Sequence, residues 1–186
     1  VDDTPEGRAE ARKAIKKSAE SGATFSLVFH ASAEQLVNKN KKEIPRLPDY
    51  LYMIREEGMI PGLSAHMPEL VTYSDNNGYD VETYIQIFNC MGFLMQVEIE
   101  SVARIIHNAK KPVMTIKPMA AGRCTPYVGL TFSWNAIRDC DMVTVGAGSA
   151  LEVEEDIEIS LAALEHRFPN LGARSSPVKQ SVLGHK

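Results

Sequence analysis

The chain has 186 residues, of which 44% are hydrophobic, and this is enough apolar material for one sizeable core. Its formal net charge of −4 gives no broad positive field, so the composition argues against a nucleic-acid partner. No apolar run approaches the roughly 20 residues that a membrane-spanning helix needs, and the N-terminal segment is charged rather than signal-like. We therefore expect a cytoplasmic protein that binds neither nucleic acid nor membranes.

Short β-branched or aliphatic runs alternate with longer amphipathic stretches, which is typical of strand–helix units around a parallel sheet. Strands are predicted at 24–29, 59–65, 83–88, 113–116 and 141–145. Helices are predicted at 5–21, 47–57, 68–73, 98–109 and 127–138, with a last helix after Ser149. A polar stretch, 31–42, separates the first strand from the second helix. We expect a single α/β domain over 1–167 and a loosely held polar tail over 168–186.

The last helix is the most completely specified element of the chain. Ser149 and Glu152 have the spacing of a capping box, and acidic residues fill the first turn. An apolar stripe along this helix consists of Val153, Ile157, Leu161 and Leu164. Trp134, on the preceding predicted helix, is expected to pack against the core.

The five strand–helix units most resemble part of a TIM (β/α)8 barrel. A complete barrel typically takes about 250 residues, so five units do not close one. The chain is therefore expected to be an incomplete barrel, to form an open sheet, or to be completed by a partner such as a second copy or a missing N-terminal half. Because the outer strands, 24–29 and 142–145, are apolar, we expect their edges to be paired or covered.

Polar residues follow each predicted strand, where parallel α/β proteins place their ligand sites. They are His30; Ser64 and His66; Gln86, Asn89 and Cys90; Lys117 with Arg123; and Gly146, Gly148 and Ser149. One cleft for a small-molecule substrate is predicted to be lined by His30, Ser64, His66, Gln86, Asn89 and Lys117.

Catalytic roles are predicted for His30, His66 and Lys117. The two histidines suit acid–base chemistry, and the lack of an HxH or HExxH spacing argues against a metal. Lys117 suits either Schiff-base formation or, together with Arg123, the binding of an anionic substrate. The glycine turn before Ser149 suits either a phosphate or a simple capped turn, and the acidic residues after it favour the simple turn.

The three cysteines, Cys90, Cys124 and Cys140, are odd in number and lack a Cys-x-x-Cys spacing. They predict neither a disulfide framework nor a zinc site. A reducing compartment is the simpler expectation.

The order of these motifs resembles the C-terminal five units of the aldo-keto reductases, which are NAD(P)H-dependent (β/α)8 barrels. The strand that ends in His30 resembles the family strand whose final histidine polarises the substrate carbonyl. Segment 55–66 resembles the family's helix end, glycine and strand ending in Ser-x-His. Segment 84–89 resembles the next strand, which implies that Gln86 and Ser64 hold the nicotinamide carboxamide.

Two further segments carry the resemblance over most of 22–164. Segment 112–122 resembles the family's strand and Pro-x-x-x-Gly loop that run alongside the cofactor. Segment 145–156 resembles the turn and helix that border the adenosine end of the cofactor. The resemblance thus implies a small-carbonyl or alcohol oxidoreductase with cofactor contacts from Ser64, Gln86, Asn89, Gly146, Gly148 and Ser149. No Lys or Arg lies between Gly146 and Ser160, which favours NAD over NADP.

The chain also departs from the family pattern. The family's catalytic Asp, Tyr and Lys come from earlier strands, and no segment here supplies them. The aromatic residue that stacks on the nicotinamide is replaced by Ile116 or Lys117. Two alternatives therefore stand beside an oxidoreductase: a barrel lyase or aldolase that uses Lys117, and a non-catalytic barrel domain.

Overall fold

Five parallel strands form one sheet in the computed structural model, which describes residues 4–171. The strands are β1 (Phe25–Val28), β2 (Ile60–Ala65), β3 (Thr83–Ile87), β4 (Val113–Ile116) and β5 (Met142–Thr144), and they are neighbours in chain order. The helices are α1 (Pro5–Glu20), α2 (His30–Leu36), α3 (Leu47–Glu56), α4 (Glu69–Asn77), α5 (Ile99–Asn108), α6 (Pro126–Ala136) and α7 (Ala150–Leu164). The predicted α/β architecture with a parallel sheet is confirmed. The tail predicted at 168–186 lies, from residue 172 onward, outside the described residues.

One face of the sheet packs against helices in a single core. Leu63, Tyr84 and Val113 are fully buried on this face, together with helix residues such as Leu51 and Ile106. Right-handed crossovers between neighbouring parallel strands place successive helices on the same side of a sheet, which accounts for this arrangement. Side chains alternate along a strand, so the residues between the core positions point to the opposite face. Ile60, Ile85, Met114 and Ile116 lie there and are only partly buried.

Helix α2 occupies the first half of the polar stretch for which the sequence pattern predicts no element. It has only seven residues, its N-cap residue Phe29 offers no side-chain hydrogen bond, and its sequence has no regular apolar stripe. Ala33 is nevertheless completely buried in the core. Tertiary packing therefore stabilises a helix that local sequence signals do not specify.

Helix α7 begins at the predicted cap, where the Ser149 hydroxyl accepts a hydrogen bond from the Glu152 N–H at 3.3 Å. Its apolar stripe does not lie in the core. The four residues are 44–54% exposed: Val153, Ile157, Leu161 and Leu164. They line an open, apolar cavity of about 420 Å³ together with Trp134, which faces this cavity instead of the closed core. The cavity exists because α7 packs mainly on α6 and leaves the edge strand β5 partly uncovered.

We expect this apolar surface to drive association in solution, because exposed apolar patches at a sheet edge favour contact with another surface. Light scattering should give a mass above that of one chain. Ile157→Glu combined with Leu161→Glu should shift the protein toward monomer, whereas Glu154→Gln, on the exposed surface of the same helix, should not. A monodisperse monomer before substitution would contradict this expectation.

A buried ion pair joins the starts of β4 and β5. The Asp141 side chain is fully buried, and its carboxylate accepts hydrogen bonds from the Val113 N–H at 2.8 Å and from the Arg138 guanidinium at 2.7 and 2.9 Å. Arg138 also donates to the carbonyls of Ala109 and Lys111. Burial alone would raise the pKa of Asp141, but the Arg138 guanidinium and the backbone donors hold that pKa below its ordinary value.

Asp141→Ala should lower the free energy of unfolding by about 3 kcal/mol, since it removes one partner of a buried pair and leaves the other unpaired. Urea denaturation at neutral pH measures this loss. Asp139→Ala, at an exposed position two residues away, is the matched control and should have a much smaller effect. Equal losses of unfolding free energy in both variants would show that the Arg138–Asp141 ion pair does not stabilise the fold.

Candidate functional site

Two histidines stack at the C-terminal ends of β1 and β2. His30 opens α2 directly after Phe29, and His66 follows the last residue of β2. Their ring centroids lie 3.6 Å apart and the ring planes differ by 15°. Parallel pairing of β1 with β2, which matches Val28 to Leu63, brings the two strand ends together. The structure thus places two of the predicted catalytic residues in direct contact.

Glu34 anchors the end of β2 beside this pair. Its Oε1 accepts hydrogen bonds from the backbone N–H groups of His66 at 2.7 Å and Met67 at 3.0 Å. Glu34 lies four residues after His30 on α2, which puts both on one face of that helix. The sequence reasoning missed Glu34 because it did not predict α2. An acidic residue one helical turn after a candidate histidine was the available signal.

The surroundings of His66 favour its neutral form. Burial lowers its pKa below the ordinary value, and the nearby His30 and Lys117 lower it further, while Glu34 acts in the opposite direction. His66 is therefore uncharged at neutral pH, and a neutral imidazole is able to accept a proton.

The pKa of His66 should respond to its two charged neighbours in opposite directions. Lys117→Met should raise it, because a positive charge is removed, and Glu34→Gln should lower it, because a negative charge is removed while an oxygen acceptor remains. NMR titration of the histidine ring protons measures both changes. The ring signals of His107, on α5, serve as an internal reference in the spectra. A His66 titration unchanged by both substitutions would contradict the arrangement.

The same geometry predicts a pH-dependent stability. The pKa of His66 is lowered in the folded chain. At pH values between this lowered pKa and the ordinary histidine pKa, the unfolded chain therefore binds more protons than the folded chain. Stability should therefore fall as the pH drops below about 6.5, the ordinary histidine value, and that part of the fall should be smaller in His66→Gln. Denaturation curves across this range measure it, and equal pH profiles for the two proteins would count against a lowered pKa.

Lys117 lies on an unusual loop after β4. Lys117, Ala120 and Ala121 have left-handed backbone conformations with φ of 61°, 51° and 55°. Such conformations cost on the order of 1–3 kcal/mol for residues other than glycine, and they cluster at functional sites. Within the loop, the Met119 carbonyl accepts from the N–H groups of Gly122 and other residues of the turn, which holds the conformation.

Arg123 lies near the end of this loop and packs against the loop after β3. Its guanidinium carbon lies 3.8 Å from the centre of the Phe93 ring, and its Nη1 donates to the Ala120 carbonyl at 3.1 Å. Both Lys117 and Arg123 remain exposed. The structure thus places the two predicted cations on one loop at the same sheet edge as the histidines.

Ser64 and Gln86 point to opposite faces of the sheet. The register pairs Ser64 with Ile85, whereas Gln86 pairs with Ala65 and Thr115. Ala65 belongs to the helix-side core, so Gln86 is directed there too, with its Oε1 buried and without a hydrogen-bond partner. The structure therefore does not bring these two residues together.

Asn89 is fully engaged by its own loop. Its Oδ1 accepts hydrogen bonds from the N–H groups of Met91 and Phe93, and its Nδ2 donates to the Phe93 carbonyl. These contacts shape the turn after β3. The Asn89 amide thus positions a loop instead of facing a cleft.

The turn from Gly146 to Ser149 lies at the far side of the sheet, three strand spacings or about 14 Å from β2. The Gly148 N–H donates to Glu152 Oε2 at 2.7 Å, and the Ser149 hydroxyl caps α7. A carboxylate thus already occupies the donor that would bind a phosphate. The residues that the resemblance assigns to a dinucleotide do not fit that group as a set.

Within residues 4–171, no group of three or more His, Cys, Asp or Glu side chains is placed to hold a metal ion. No helix in the described part of the chain has the length and apolar character needed to cross a membrane. Comparisons with protein-family models, with curated proteins and with solved structures find no match. The resemblance to aldo-keto reductases therefore depends on the motifs of this sequence alone.

Proposed function

We propose that this chain carries out acid–base catalysis at the carbonyl group of a small substrate, with His30 and His66 as the proton-transfer pair. The observation that supports this most directly is the stacked pair itself, held at the C-terminal edge of a parallel sheet. This edge is where α/β folds place their ligands.

The stacked arrangement suits a pair that carries one proton at a time. Two positively charged imidazoles at 3.6 Å would repel each other, so protonation of one ring opposes protonation of the other. One ring then serves as the acid and the other as the base. We assign the base to His66, because its surroundings favour the neutral form. We assign the acid toward the carbonyl oxygen to His30, because the resemblance places that histidine at the substrate carbonyl.

Lys117 and Arg123 give the site a preference for substrates with an anionic group. They are exposed on the loop after β4, and the positive charge of Lys117 lowers the pKa of His66. A carboxylate or phosphate bound to these cations would place a neighbouring carbonyl beside the histidines. Small anionic carbonyl compounds are therefore the substrate class that we propose.

We further infer that the sheet is the C-terminal five units of a (β/α)8 barrel. Chain-order strand neighbours and helices packed on one face support this, since both are features of that fold. The partly exposed apolar face with Ile60, Ile85 and Met114 would then become the barrel interior.

Two reactions share this acid–base step. Aldo-keto reductase-like reduction is supported by the order of motifs, and a nicotinamide cofactor, with NAD favoured, would supply its hydride. Lyase or aldolase chemistry is supported by the position of Lys117 at the end of an apolar strand, where its amine would attack the carbonyl and leave Arg123 to bind the anionic group. The poor fit of the dinucleotide residues makes the second reaction a serious competitor.

His30→Gln and His66→Gln should each lower turnover about a hundredfold to ten-thousandfold, the usual contribution of general acid–base catalysis. The assay would offer small aldehydes, ketones and keto acids with NADH or NADPH, and the same compounds without cofactor to detect carbon–carbon cleavage. His107→Gln, away from the sheet edge, is the matched control and should retain activity. Cofactor-dependent turnover should favour NADH.

Borohydride separates the two reactions, because it traps a Schiff base as a stable adduct. A substrate mass attached to Lys117, lost in Lys117→Met, would indicate lyase chemistry. Cofactor oxidation without an adduct would indicate reduction. No turnover of any compound by a folded protein would contradict the proposal and favour a non-catalytic domain.

A further inference from the structure

Cys90 and Cys124 meet at the sheet edge although they lie 34 residues apart in the sequence. Cys90 is in the loop after β3, and Cys124 ends the loop after β4. Their Sγ atoms are 3.8 Å apart, and both side chains are partly buried. The pairing of neighbouring strands thus brings two thiols into contact, although their spacing in the sequence does not predict a pair.

The loop around each thiol is held by specific contacts. Cys90 directly follows Asn89, whose amide fixes the turn after β3. Cys124 lies against the Pro118 carbonyl, with its Sγ 3.7 Å away. Gly129 permits this packing, because a Cβ there would lie 2.5 Å from the Pro118 oxygen and 3.2 Å from the Cys124 sulfur. The pair is therefore a defined contact between two shaped loops.

We propose that Cys90 and Cys124 form a reversible disulfide that links the β3 and β4 loops when the protein meets a peroxide. The thiolate of Cys90 attacks one peroxide oxygen, the O–O bond breaks, and Cys90 becomes a sulfenic acid. The hydroxide that leaves takes up the proton that the Cys90 thiol released on ionising, and this forms the first water. Cys124 then attacks the Cys90 sulfur, the S–O bond breaks, and the second water leaves with the Cys124 proton. Two thiols are oxidised and one hydrogen peroxide is reduced to two waters.

The order of the two steps follows from the surroundings of Cys124. Burial raises its pKa to about 11, and the adjacent Cys90 adds to this. Cys124 is therefore a thiol at neutral pH and a poor first nucleophile. Oxidation of Cys90 removes the thiolate charge that opposes ionisation of Cys124, which makes Cys124 the resolving residue.

The disulfide would join the loop with Phe93 to the loop with Lys117 and Arg123. The Arg123–Phe93 contact already bridges these two loops without a covalent bond. A reversible disulfide of this kind is compatible with a reducing compartment, where disulfides are transient and redox-sensing.

Thiol counting on the full chain tests the proposal, with hydrogen peroxide as oxidant and dithiothreitol as reductant. Free thiols should fall from the three cysteines of the sequence to one, and dithiothreitol should restore them. Mass spectrometry of a non-reduced digest should show the Cys90 and Cys124 peptides joined with the loss of two hydrogens. Cys140→Ser, at an exposed position, should still form this link.

Cys124→Ser should leave Cys90 as a sulfenic acid that dimedone traps, whereas Cys90→Ser should yield no trapped Cys124. Retention of both the Cys90 and the Cys124 thiols at peroxide concentrations that oxidise exposed Cys140 would overturn the proposal. So would oxidation that joins chains only through Cys140, or separate over-oxidation of Cys90 and Cys124 without a link between them.

Discussion

Parallel pairing of consecutive strands is the constraint on which the rest of this structure depends. Each strand pairs with the next one along the chain, and all five run in the same direction. All the loops that follow the strands therefore lie at one edge, and loops of neighbouring strands come into contact. His30 meets His66 in this way, and Cys90 meets Cys124. The buried Arg138–Asp141 pair joins β4 and β5 at the other, N-terminal ends of the strands. None of the predicted site residues follows a strand there.

Local sequence patterns predicted most elements but not the faces of the strands. Runs such as 83–88 and 113–116 fall on the observed β3 and β4, because short runs rich in β-branched and aliphatic side chains are typical of strands. The direction of Gln86 depends on its pairing with Ala65 and Thr115, and register is a tertiary property. Ser64 and Gln86 could thus be assigned to strand ends from the sequence, but not to opposite faces.

Two other differences have the same origin. Helix α2 is stabilised by the burial of Ala33, which local sequence signals do not indicate. Because α2 was not predicted, Glu34 was not predicted as a site residue either. Helix α7 shows the converse case. Its capping and stripe were predicted from local rules, yet Ile157 and Leu161 are exposed because a stripe indicates only that a surface is apolar. Whether something packs on that surface depends on what lies beyond β5.

The histidine pair and the cysteine pair occupy different strand junctions, and this separates their effects. His30 and His66 lie at the β1–β2 junction, whereas the two thiols lie at the β3–β4 junction. A bond between the thiols would act on the loop that presents Lys117 and Arg123, for which we propose a role in substrate binding. It would not pull on Glu34, which holds His66 from the side of α2. In the reaction that we propose, oxidation would therefore change the substrate concentration needed for half-maximal turnover more than the rate of proton transfer. The reason is that the charge of Lys117 acts on His66 only from across β3.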